Sequence, residues 1–105
     1  MIMESPAKIL EQISVLLEEA REMMASGQHD QAREKALEAI ALDPRHLKSH
    51  RVLVTVLESA GLEKEAEAAR GVMEDIRKEN WKRQVEAEIR SRHEMLGEAI
   101  RHESL

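Results

Sequence analysis

Apolar residues recur every three or four positions along most of this chain, the rhythm of α-helices with one buried face. Ile9, Leu10, Ile13, Leu16, Leu17, Ala20, Met23 and Met24 form the first such stripe. Ser5-Pro6 opens it as an N-cap followed by proline at the first helical position, and Ser26-Gly27 stops it near Ala25. A second helix is expected over Asp30–Leu42, with Ala32, Ala36, Leu37, Ala39 and Ile40 facing inward. Asp43-Pro44 ends it, because the residue before a proline is pushed out of the α region. A third helix is expected over Arg45–Ala60, carrying Leu47, Val52, Leu53, Val56 and Leu57, and Gly61 breaks it. A fourth starts near Glu63 and uses Ala66, Ala69, Val72, Met73 and Ile76.

Beyond Ile76 the apolar face changes. At 100° per residue, Trp81, Val85, Ile89, Leu96 and Ile100 fall nearly opposite the stripe that precedes them. A turn at Lys78–Asn80 would resolve the conflict by folding a fifth helix back as a cap, with Trp81 anchored on Val72, Met73 and Ile76. The alternative is a helix that extends away. Its stripe would then be exposed and would require a second chain, giving a homodimer.

Composition narrows the class. With 105 residues the chain is one domain's worth, and 42% hydrophobic with 35% charged residues excludes a disordered composition. One Trp, no Phe, no Tyr and six Met suit closely packed helices better than a sheet. Cysteine is absent, so no disulfide or thiolate chemistry is available, in keeping with a cytoplasmic location. No signal peptide or membrane span is legible at the sequence level. A net charge of -5 argues against a nucleic-acid partner, whose phosphates call for cations.

The helices repeat. Gly61 follows Gly27, and Ala66 follows Ala32, at a separation of 34 residues. Helix–turn–helix units of that period resemble the tetratricopeptide repeat (TPR) family. The resemblance is close over 13–46, where Leu16 takes the usual tryptophan place, Ala20 a small one and Met23 the tyrosine place. Gly27 lies at the turn, Ala32 at the small packing position, Ala36 at the phenylalanine place, Ala39 at the next small position and Pro44 at the closing proline. The second unit, 47–80, is degenerate: Gly61 and Ala66 hold, but Arg70 stands at a phenylalanine place and Met73 at an alanine place. After Trp81 the pattern fails, since Glu88 would occupy a small position. The resemblance implies an all-α, right-handed superhelix of two hairpins plus a C-terminal helix. Residues 5–46 would hold the long first helix and first hairpin, 47–80 the second, and 81–105 the cap. Stacked repeats usually need about three units, so the long first helix and the cap, or a second chain, must cover the open ends.

The resemblance also implies a function: a protein-interaction adaptor that holds a peptide in a groove lined by the first helix of each hairpin. The corresponding positions here are Ser14, Leu17, Arg21 and Met24, then Lys48, Arg51, Thr55 and Glu58, with Lys82 added by the cap. Arg21, Lys48, Arg51 and Lys82 would make this groove basic and suited to an acidic guest. The rival reading is a scaffold that self-associates through Trp81, Val85, Ile89, Leu96 and Ile100. Enzyme chemistry has little to stand on, with no phosphate loop and no nucleophile in a recognisable setting. His46 and His50 lie at a ligand-like spacing of four, yet no third ligand is near in sequence, so both read as surface histidines rather than a metal site. No cofactor is implied.

Overall fold

The computed structural model describes the backbone of residues 5–103 and the side chains of residues 5–96. Four helices follow one another: α1 (Pro6–Ala25), α2 (His29–Leu42), α3 (Leu47–Ser59) and α4 (Glu63–Glu103). No strand occurs among the described residues, so the fold is all-α. The chain divides into two units, residues 1–74 and 75–105.

In the first unit, α1 packs on α2, α2 on α3, and α1 on α3. Ser5 caps α1 in an extended conformation, its side chain accepting a hydrogen bond from the Lys8 N–H at 3.3 Å. The turns between α1 and α2 and between α3 and α4 are built alike. At the first, Gln28 N–H donates to Met23 O (2.8 Å) and Gly27 N–H to Met24 O (3.1 Å). At the second, Leu62 N–H donates to Leu57 O (2.9 Å) and Gly61 N–H to Glu58 O (3.0 Å). Both are Schellman motifs, and each needs a left-handed residue after the helix. Gly27 and Gly61 supply it, at φ 80° and 76°. The bonds flanking the turns match too: Ser26 N–H to Glu22 O and Ala32 N–H to Gln28 O are repeated by Ala60 to Val56 and Ala66 to Leu62. Four hydrogen bonds thus recur at an offset of 34 residues.

The core is made of small and branched residues. Ala20, Ala32, Ala36, Ala39 and Ala66 are wholly inaccessible and share one cluster with Ile13, Leu17, Val52, Val54, Val56 and Leu57. Methyl-sized side chains at these points let helix backbones come close, with Leu and Val filling the remaining space. Leu37 and Val72, expected to face inward, are about half exposed. The link between α2 and α3 turns on Asp43, whose Oδ1 accepts from Arg45 N–H (3.1 Å) and whose carbonyl accepts from His46 N–H (3.1 Å). Pro44 follows with its carbonyl pointing to His50, so His50 Nε2 must donate at 2.7 Å, the carbonyl being only an acceptor. His50 is consequently buried at 5% exposure, which corrects the expectation of a surface histidine.

Residues 78–80 do not turn. Helix α4 runs unbroken from Glu63 to Glu103, so the fifth helix folded back as a cap does not form. Arg77, Lys78, Glu79 and Asn80 include neither glycine nor proline, and a change of apolar face is no helix breaker when the backbone chemistry is sound. In the second unit Ile76 is buried, whereas Trp81 is 68% exposed and is not the buried anchor expected of it. Ile89, Met95 and Leu96 are exposed and Val85 half-buried. The side chain of Ile100 lies outside the described residues.

Candidate functional site

A groove of about 380 Å³ is lined by Arg21 and Met24 of α1 and by Leu47, Lys48, Arg51, Val52 and Thr55 of α3. The helical repeat explains the grouping. Positions 47, 48, 51, 52 and 55 fall on one face of α3, and 21 and 24 lie one turn apart on α1. Met24, Leu47 and Val52 give the groove an apolar floor, while Arg21, Lys48 and Arg51 are exposed at its rim. Thr55 turns its hydroxyl back to the Arg51 carbonyl at 3.1 Å, which occupies its donor.

Three other cations of this unit are held by carboxylates. Arg33 pairs with Glu65 at 2.8 Å, Lys35 with Glu19 at 3.3 Å, and Arg70 with Glu58 at 2.6 Å. Among the described residues, no ion pair engages Arg21, Lys48 or Arg51. No carboxylate among the described residues pairs with them at the groove rim. The volume falls within the range of ligand clefts, roughly 300–1,000 Å³.

Five of the residues expected to form a groove are brought together here: Arg21, Met24, Lys48, Arg51 and Thr55. Leu17 is not among them, because it is 2% exposed and belongs to the core. Its neighbour Leu16 is half-buried, and helical spacing alone did not separate the two. Ser14 is exposed on α1 but does not line the groove, and Lys82 belongs to the second unit. Glu58 is engaged by Arg70. Leu47 and Val52 were missed as lining residues; their i, i+1, i+4, i+5 relation to Lys48 and Arg51 was the available signal.

His46 Nδ1 lies 2.8 Å from Ser49 Oγ, so the two histidines of this segment serve the α3 entrance, one through Ser49 and one through Pro44. Among the described residues, no three His, Cys, Asp or Glu side chains gather where they would hold a metal ion. No described helix is long and apolar enough to cross a membrane. Compared with known proteins, the chain matches no family model, no curated sequence and no solved structure.

Proposed function

We propose that this chain is a protein-interaction adaptor of the TPR type, holding an acidic peptide segment of its partner in the groove between α1 and α3. The observation that carries this reading is the set of three cations without carboxylate partners, Arg21, Lys48 and Arg51, around an apolar floor. In a chain of net charge -5 such a local basic field selects anionic guests and raises their rate of encounter. Met24, Leu47 and Val52 would accept an apolar side chain between two acidic ones. The repetition of turn hydrogen bonds at 34 residues supports assigning the hairpins to the TPR type.

The test is fluorescence anisotropy with a labelled peptide in which Asp and Glu alternate with Leu. Saturable binding that weakens with added salt is expected, and the Arg21→Glu/Arg51→Glu double variant should bind at least tenfold more weakly. Circular dichroism should show that variant folded, since both side chains are exposed. Equal binding by the variant, or none by the parent chain, would overturn the reading.

A further inference from the structure

The exposed apolar stripe of the second unit has a regular spacing. Trp81, Val85, Ile89, Arg92 and Leu96 are separated by four, four, three and four residues, and the next step of four in the sequence reaches Ile100. That is an 11-residue pattern of about 3.67 residues per turn, which keeps its seam on one side of a nearly straight helix. Isolated exposed leucines mean little, but Trp81, Ile89 and Leu96 share one face and are each at least half exposed. The stripe from Trp81 to Leu96 covers roughly 22 Å of helix.

We propose that residues 85–96 pair with the same residues of a second copy of this chain, antiparallel, with the twofold axis between Arg90 and Ser91. The spacing reads identically in both directions from that point. Reversing the second helix sets Val85 opposite Leu96 and Ile89 opposite the aliphatic stem of Arg92, each twice by symmetry. Charge fixes the direction. Glu88 lies at the edge of the stripe, one turn before Arg92. In the antiparallel register each Arg92 comes beside Glu88 of the second copy. A parallel, in-register pair would instead place Arg92 against Arg92 and Glu88 against Glu88. The groove of the first unit plays no part in this pairing, so either proposal stands or falls without the other.

Sedimentation velocity on the full chain over a range of concentrations should show a reversible dimer. Arg92→Glu and Glu88→Arg should each weaken it at least tenfold while retaining helical circular dichroism, and an equimolar mixture of the two should recover it. Direction is read by cross-linking, because the chain has no cysteine of its own. Under oxidation, Val85→Cys mixed with Leu96→Cys should give a covalent heterodimer. Val85→Cys alone should not cross-link, its two thiols being roughly 16 Å apart along the pair, beyond disulfide reach. A monomer at every concentration, undiminished association of Arg92→Glu, or cross-linking of Val85→Cys alone would overturn the proposal.

Discussion

Residues 5–74 and residues 75–96 are both helical and both carry a helical apolar stripe, yet the first region folds on itself and the second leaves its stripe exposed. The difference does not lie in hydrophobic pattern, which is clear in both. It lies in two other ingredients. The first region has a glycine in the left-handed conformation at two of its three turns, Asp43-Pro44 at the other, and buried alanines on α1, α2 and α4. The second has no turn residue between Arg77 and Asn80, and its stripe is made of Trp, Val, Ile and Leu. Periodicity says which face is apolar, whereas turn chemistry and residue size say whether the chain can bring two such faces together.

Four substitutions probe that contrast, from the largest expected effect downward. Lys78→Pro removes a backbone donor and clashes inside α4, costing about 3 kcal/mol of helix stability. A drop in ellipticity at 222 nm is expected; a turn already present at 78–80 would leave it unchanged. Ala32→Leu adds three carbons at a wholly inaccessible point and should destabilise the first unit by about 1–3 kcal/mol in urea titration. Unaltered stability would mean that the alanine contacts do not set helix approach. Gly61→Ala faces open space but a φ of +76°, so backbone strain alone operates, worth about 1 kcal/mol in the same titration. Ile89→Lys should be silent for the folding of the first unit, within about 0.5 kcal/mol, because the side chain is half exposed. A larger loss would place Ile89 within an intramolecular core.

Much of the first unit was legible in advance because its signals are local. Ser5-Pro6, Gly27, Pro44 and Gly61 each act within one turn of backbone, and the structure puts a helix boundary at each. The buried alanines followed from their spacing. What escaped was non-local or contextual. His50 is buried by a bond to a carbonyl six residues earlier, which no periodicity announces. Leu17 and Leu16 are both compatible with an inward stripe, and only the approach of α2 and α3 separates core from edge. The turn expected at Lys78–Asn80 rested on a change of apolar face, and α4 accommodates that change without a break. Of the groove, the polar rim was visible on the helical faces, while the apolar floor at Leu47 and Val52 required knowing how α1 lies against α3.

Amide hydrogen exchange of the full chain, followed residue by residue at low and high protein concentration, addresses the contrast most directly. Protection over residues 5–74 should be the same at both concentrations. Residues 78–80 should exchange as helix rather than as a turn, and protection of residues 85–96 should rise with concentration as a second copy covers the stripe. Fast exchange confined to residues 78–80, with residues 85–96 equally protected at every concentration, would contradict the account.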